Sequence, residues 1–312
     1  MNSPLVEVRG LTRRFGKLTA VDDLSFEFDA GQIYGFIGPN GAGKTTTMRI
    51  LATLDVPDEG DAFVGGRSVL VEPRHVRSQV GFMSDQFTPY SNLDVMEYLD
   101  FFARAYGLAG KQRMETVRSV ASFCGLESFR DRPATGLSKG MGQRLHLAKT
   151  MLHNPSLLIL DEPASGLDPR ARIEFRELLK ELAAAGKSIL ISSHILSELS
   201  ETCDGILVIE KGSKVVSGDI ESIAQDVREH HAIGMRLLSD AEAGVRFLTL
   251  QPHVQDLVAD GQLLQFDFTG DLDELADLLQ RSIAEGHRVV DFRQQDTNLE
   301  DIFLRTTHGR LQ

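Results

Sequence analysis

The chain has almost no cysteine: in 312 residues only Cys124 and Cys203 occur, far apart and without the spacing of a metal-ligand pair. A disulfide scaffold and a cysteine zinc site are thereby excluded, a reducing compartment fits, and both thiols read as small inert hydrophobes. Any apolar run approaching the ~20 residues needed to cross a bilayer is also lacking. The N-terminus, MNSPLVEVRG, has no basic segment leading into an apolar one, so neither a membrane span nor a secretory signal is expected. No stretch is rich in Lys and Arg, and the formal net charge is −12. Because affinity for nucleic acid rests largely on neutralising phosphates, a nucleic-acid partner is not expected, whereas a nucleotide ligand is still allowed.

What is there is the composition of a globular protein, 42% hydrophobic and 25% charged, long enough for one large domain and a second, smaller one. Up to residue 218, apolar runs of strand length alternate with longer segments of helical period, which predicts an α/β domain with a mostly parallel sheet. The predicted strands are Leu5–Val8, Leu24–Phe28, Ile33–Ile37, Val80–Met83, Leu157–Leu160, Ser188–Ser192 and Ile206–Ile209, the last followed by a turn at Glu210-Lys211-Gly212-Ser213. Nearly everything between Met83 and Leu157 reads as helix, and Arg170–Ala185 reads as a helix stopped by Gly186. Beyond Gly218 the pattern changes to helix Asp219–Val227, strand His231–Leu237, helix Asp240–Phe247, strands Val254–Ala259 and Leu263–Phe268, helix Asp271–Glu285 and strand Arg288–Phe292. A last helix runs from Asn298 to Thr306. The order βαββαβ predicts a ferredoxin-like α+β unit over residues 219–312.

Gly38-Pro39-Asn40-Gly41-Ala42-Gly43-Lys44-Thr45 fits the phosphate-loop pattern and lies between a predicted strand and a helix beginning near Lys44. Glycines let the backbone curl so that successive amide hydrogens face one anion, and the helix N-terminus adds its positive end. In such a loop Lys44 reaches the terminal phosphates of ATP, Thr45 ligates magnesium and Thr46 extends the phosphate contacts. A glycine-rich turn without a ligand does not account for strand, loop, Lys-Thr and helix in succession. Leu157-Leu158-Ile159-Leu160-Asp161-Glu162 is an apolar strand ending in two carboxylates at the edge where open parallel sheets bind ligands. Asp161 is placed to hold magnesium, directly or through water, and Glu162 to polarise the water that attacks the γ-phosphate. Without a phosphate loop the same pair would read as a helix cap.

These motifs, with those between and after them, resemble the ABC ATPase family over residues 5–218. Leu137-Ser138-Lys139-Gly140-Met141, followed by Gly142-Gln143-Arg144, stands where the family carries its signature LSGGQ. Ser165-Gly166-Leu167-Asp168 is similar to the D-loop, His194 to the switch histidine, and Phe15 before Gly16 to the aromatic that stacks on adenine. Taken singly, His194 reads as a structural histidine and Phe15 as core; order and spacing carry the functional reading. The resemblance implies a phosphate-loop ATPase that uses ATP and Mg2+, with an ATPase domain over residues 1–218 and a helical subdomain over 85–133. It also implies a head-to-tail, ATP-sandwiched homodimer in which Ser138 and the Gly140 amide of one subunit close over the γ-phosphate held by the other. Lys44, Glu162 and His194 are then the catalytic candidates, Asp168 joins the nucleotide-binding set, and Thr45, Asp161 and Asp85 are the metal candidates.

Two features depart from the family pattern. Lys139 and Met141 replace a glycine and a glutamine of the signature, while Ser138 and Gly140, which carry the phosphate contacts, are kept. After the strand Val80–Met83 and Ser84, the Q-loop glutamine is either replaced by Asp85 or displaced by one residue to Gln86. Asp85 is in register and offers a hard-oxygen metal ligand; Gln86 has the longer side chain but needs a small bulge to reach the site.

The helical insertion is dense in aromatics, Phe87, Tyr90, Phe101 and Phe102, which suits a groove for a partner's coupling helix, although core packing accounts for Phe102 equally. The segments Tyr90–Val95, Phe102–Gly107 and Asn298–Leu304 resemble ATPases of the ABC-2 exporter branch. That resemblance implies export through a separate ABC-2 type membrane permease, with the chain peripheral on the cytoplasmic face of the membrane. An ABC ATPase that works without a permease, as in translation or DNA repair, usually carries a second motif set or a long coiled coil, and neither is present. A non-hydrolysing nucleotide scaffold is disfavoured by Glu162 and His194.

Overall fold

The computed structural model describes residues 4–195, 199, 202–220, 231–238 and 241–294. The chain divides into two compact units, Met1–Asp219 and Ile220–Gln312. In chain order the first contains β1 (Val6–Phe15), β2 (Leu18–Phe28), β3 (Ile33–Ile37), α1 (Lys44–Leu51), β4 (Glu59–Val64), β5 (Arg67–Ser68), α2 (Pro73–Gln79) and β6 (Val80–Met83). There follow α3 (Val95–Ala105), α4 (Gly110–Phe123), α5 (Lys139–Met151), β7 (Leu157–Leu160), α6 (Pro169–Ala184), β8 (Ser188–Ser193), β9 (Gly205–Glu210) and β10 (Ser213–Asp219).

Six strands form the sheet that carries the chemistry, in the order β10-β9-β3-β8-β7-β6, with every pairing parallel except β9 with β10. Every residue of β3 and β7 is buried, as strands covered on both faces require. The serines of β8 tolerate burial because they are hydrogen-bonded: Ser188 Oγ accepts from Gly31 N at 2.7 Å, and Ser193 Oγ from Ile195 N at 3.0 Å. A core of fully buried side chains, Leu11, Leu24, Phe36, Met48 and Leu51 among them, fills the space between this sheet and a second, antiparallel one.

That second sheet, ordered β2-β1-β4-β5, corrects the reading from sequence. Of this sheet the sequence predicts only the strands Leu5–Val8 and Leu24–Phe28, yet β1 and β2 run on as a long hairpin closed by Gly16 and Lys17, and β4 and β5 are not predicted at all. Arg9, Arg13, Arg14, Asp22 and Asp23 break the apolar run, and register shifts along the β1–β2 pair interrupt the alternation that marks a half-buried strand. The nearly continuous helix expected after Met83 is likewise broken over 84–94 and by short 3-10 turns at Glu127–Phe129 and Ala134–Gly136. Pro89 and Pro133 stand in or beside these breaks, where a missing amide hydrogen and a fixed φ disfavour helix. Asp94 restarts α3 with a capping box: its carboxylate accepts from Glu97 N at 2.8 Å, while Glu97 Oε2 accepts from Asp94 N at 3.0 Å.

The second unit contains β11 (His231–Leu237), α7 (Ala241–Thr249), β12 (Val254–Asp260), β13 (Leu263–Phe268), α8 (Leu272–Ala284) and β14 (Val289–Gln294). Its antiparallel sheet, β12-β13-β11-β14, has the strand order of a ferredoxin-like unit. Alternate residues Ile233, Met235 and Leu237 of β11 and Leu264, Phe266 and Phe268 of β13 pack with Leu248, Leu275 and Leu278 into a core of its own. The expected helices Asp219–Val227, beyond Ile220, and Asn298–Thr306 lie outside the described residues.

Candidate active site

Helix α1 starts without a side-chain cap and with no acidic residue in its first turn; its N-cap is Gly43, at φ 106°. Helices α3, α5 and α6, by contrast, are capped by Asp94, Ser138 and Asp168. The first amide hydrogens of α1 are therefore free of side-chain caps and face an anion's natural position. The loop feeding it is wedged on both flanks. A Cβ at Gly38 would come within 2.5 Å of the Ile209 carbonyl, and one at Gly43 would collide with the Ala20 carbonyl. Gly212 N donates to Ala42 O at 3.0 Å and Asp22 N to Gly212 O at 2.9 Å, so the turn between β9 and β10 ties the loop to β2. Lys44, only 6% exposed, donates from Nζ to the Gly38 and Pro39 carbonyls at 2.6 and 3.3 Å. An open cleft is lined by Phe15 and Leu18, by residues 40–46 of the loop and α1, and by Asp85, Asp161 and Glu162.

Two of these carboxylates, Asp161 and Glu162, follow β7 and are held by Ser192 of β8. Asp161 is buried, and Ser192 Oγ donates to its Oδ1 at 2.7 Å while accepting from Glu162 N at 2.9 Å. Burial holds the Asp161 carboxyl above its ordinary range; hydrogen bonds from Ser192 and Thr45 pull it down, and the charges of Asp85 and Glu162 push it up again. Glu162 sits at φ 49°, a left-handed conformation that costs a non-glycine residue about 1 kcal/mol and that the Ser192 bond helps to hold. Its Oε2 lies 2.9 Å from His194 Nδ1, and its Oε1 lies 3.5 Å from Lys44 Nζ, a charge contact rather than a hydrogen bond. Ser192 was not among the residues singled out from sequence. The signal was there in a polar side chain within the apolar run Ser188–Ser193, since a buried hydroxyl implies a partner.

Asp85 lines both this cleft and a neighbouring groove, and its charge acts on Asp161, whereas Gln86, also exposed, lines the groove but not the cleft. As a site for magnesium the donors fit: the Thr45 hydroxyl and the Asp161 carboxylate, which line the same cleft, are hard oxygens of the kind the ion prefers. No group of three or more acidic, His or Cys side chains among the described residues could hold a metal alone. An ion here would take its remaining oxygens from phosphates and water, the usual manner for magnesium.

Ser138 and Gly140 do not line the cleft of their own chain. Ser138 Oγ accepts from Met141 N at 3.3 Å, and Ser138 borders the groove shared by Gln86, Phe87, Lys139 and Gln143. Here α5 abuts α6: a Cβ on Gly140 would lie 3.1 Å from the Ala171 Cβ, and the Lys139 side chain lies along Gly166. Asp168 caps α6 by accepting from Ala171 N at 2.9 Å. Near the groove, Phe87 packs on Tyr98 and His146 with ring centroids 5.9 and 5.4 Å apart, and half-exposed Tyr90 and Phe101 meet at 5.6 Å.

An uncapped phosphate loop after β3, with a carboxylate pair at the end of β7 in one mostly parallel sheet, defines a P-loop nucleoside triphosphatase. Residues 21–165 match the family model described as ABC transporter. The chain is 36% identical to Nod factor export ATP-binding protein I of Ralstonia nicotianae, with 98% of this chain and 94% of the relative covered. It is also 36% identical to the protein of the same name from Sinorhizobium fredii, over 97% of this chain and 85% of that one. A solved ATP-binding subunit of an ABC transporter superposes with a TM-score of 0.64 at 30% identity, covering 72% of this chain and 93% of its own. The chain belongs to the ABC transporter ATP-binding family: it is the ATP-binding subunit of a transporter, and an ATPase. Among the described residues no helix is long and apolar enough to cross a membrane.

Proposed function

We propose that the chain dimerises head-to-tail around ATP and uses hydrolysis to drive export through a separate ABC-2 type membrane permease, working on the cytoplasmic face of the membrane. The observation that carries the hydrolytic part is Glu162, held at the cleft between His194 Nδ1 at 2.9 Å and Lys44 Nζ at 3.5 Å. In this reading the amides of Gly38–Thr46 and the α1 N-terminus bind the phosphates, Lys44 turns from its carbonyls to the terminal phosphates, and Phe15 carries the adenine. Thr45, Asp161 and Asp85 supply the protein's oxygens to Mg2+, which when bound neutralises charge on the phosphate oxygens. Glu162 accepts the proton of the water attacking the γ-phosphorus, ADP leaves, and His194 holds Glu162 in line. Ser138, the Gly140 amide and Asp168 serve the partner's site, which accords with their separation from the phosphate loop of their own chain.

The relatives' printed name, Nod factor export ATP-binding protein I, supports the outward direction. The groove between Phe87 and the α5 N-terminus, with exposed Tyr90 and Phe101 near it, suits a permease helix. Residues 1–218 act as the ATPase domain, with a helical subdomain over 85–133, and residues 219–312 as an accessory domain; a chain ending at Gly218 should still bind ATP. Purification of the tagged chain from its own cells in mild detergent should bring down a polytopic membrane protein. Recovery of the ATPase alone, from extracts in which membrane complexes survive, would refute the permease-coupled reading.

A further inference from the structure

Phe15 ends β1 at the tip of a hairpin, 47% exposed, and lines the nucleotide cleft. A lone phenylalanine there has little to fix its tilt. One face is covered, however: the Arg13 guanidinium carbon lies over the ring, 4.7 Å from the centroid, and Arg13 itself does not line the cleft. That guanidinium is itself anchored, with Nη2 2.9 Å from Asp55 Oδ1 and Nη1 3.4 Å from Asp58 Oδ1. Asp58 is fixed in turn by accepting from Arg14 N at 2.6 Å. With its side chain only 22% exposed, Arg13 is a held plate rather than a swinging surface arginine.

We propose that Arg13 is a positioning residue for the nucleotide base, forming the rear layer of a sandwich in which Phe15 is the middle and adenine the front. The inference rests on the reading of Phe15 as the adenine platform and deepens it. Two physical effects follow from the geometry. The anchored guanidinium restricts the ring before the base arrives, so less freedom is lost on stacking. A cation on the rear face also draws electron density through the ring, leaving the front less negative toward the electron-rich purine. Arg13 does not line the cleft, so its influence is confined to the base and leaves the phosphates untouched.

The test uses the full chain and titrates ATP and, separately, inorganic tripolyphosphate, both with magnesium, against Arg13→Met, Phe15→Ala and the double variant. Arg13→Met should weaken ATP binding about three- to tenfold. Tripolyphosphate affinity should be unchanged, and KM for hydrolysis should rise while kcat at saturating ATP holds. In the Phe15→Ala background the Arg13 substitution should add nothing, because its effect passes through the ring. An equal loss for tripolyphosphate, a fall in kcat or an additive double variant would overturn the proposal, since each marks a general supporting role. Unchanged ATP affinity in Arg13→Met beside a weakened Phe15→Ala would overturn it too. If Phe15→Ala binds ATP as the parent does, the adenine reading fails first and the proposal falls with it.

Discussion

Ser192 and Asp161 meet across the β7–β8 pair through a hydroxyl-to-carboxylate hydrogen bond of 2.7 Å. The same hydroxyl takes the Glu162 amide hydrogen, so one side chain fixes both a carboxylate and the backbone of its neighbour. Ser192→Ala leaves the part-buried Glu162 N–H without this partner and removes a donor from a buried acid, a loss of about 1–3 kcal/mol. Thermal denaturation should show that loss, and turnover at saturating magnesium should fall about tenfold or more as Glu162 leaves its strained conformation. Parent-like turnover in a destabilised variant would confine Ser192 to a packing role.

Glu162→Gln keeps the shape of the site and removes the proton acceptor. ATP binding should survive, turnover should drop to background, and gel filtration with ATP should reveal an accumulated dimer. A monomer that still hydrolysed ATP at the parent rate would take the general-base role from Glu162.

Asp85 and Gln86 are separable by the same assay. Because Asp85 reaches the cleft and Gln86 does not line it, Asp85→Ala should reduce magnesium-dependent hydrolysis more than Gln86→Ala, and Asp85→Gln should keep much of it. With Asp85 as a third carboxylate near Asp161 and Glu162, ATP affinity should also depend on magnesium more steeply in the parent than in Asp85→Gln. The opposite order of the alanine variants would hand the role to Gln86.

His146, buried on α5, is pushed down to about 3 from 6.5, first by burial and then by the charge of Lys149. Between those values the unfolded chain binds a proton that the folded chain does not. Stability contributed by neutral His146 is therefore complete above pH 6.5 and is lost as pH falls toward 3. Its Nδ1 has no hydrogen-bond partner, so His146→Leu removes an unpaired polar atom along with the titration. Denaturant midpoints measured from pH 7 down should fall less steeply in that variant; parallel curves would show that another group governs the acid limb.

Where the sequence was most readable, local chemistry and global fold made the same demand. Glycines at Gly38, Gly41 and Gly43 followed by Lys44 have few uses other than a phosphate loop, and the run Leu157–Leu160 could be buried on both faces only in a central strand. The β1–β2 hairpin past Val8 was obscured because its stability comes from cross-strand pairing and from residues distant in sequence, such as the Asp58 that receives Arg13 and the Arg14 amide. Ser192 was missed for a related reason. Its task is defined by strand β7, and nothing in its own neighbourhood announces which neighbour a buried hydroxyl will find. The choice between Asp85 and Gln86 was a question of register, and one residue of slip at a strand end changes which surface a side chain reaches.

The wedging of the phosphate loop between the Ala20 and Ile209 carbonyls bears on the tempo of the machine. A loop packed this closely leaves little room for a slow backbone rearrangement before ATP is held, so capture is expected to follow encounter and to scale with solvent viscosity only through its diffusional share. The waiting steps of the cycle then belong to bodies that are free to move, the two subunits as they approach and part. Mutations that loosen the loop should show themselves as a new lag in nucleotide association.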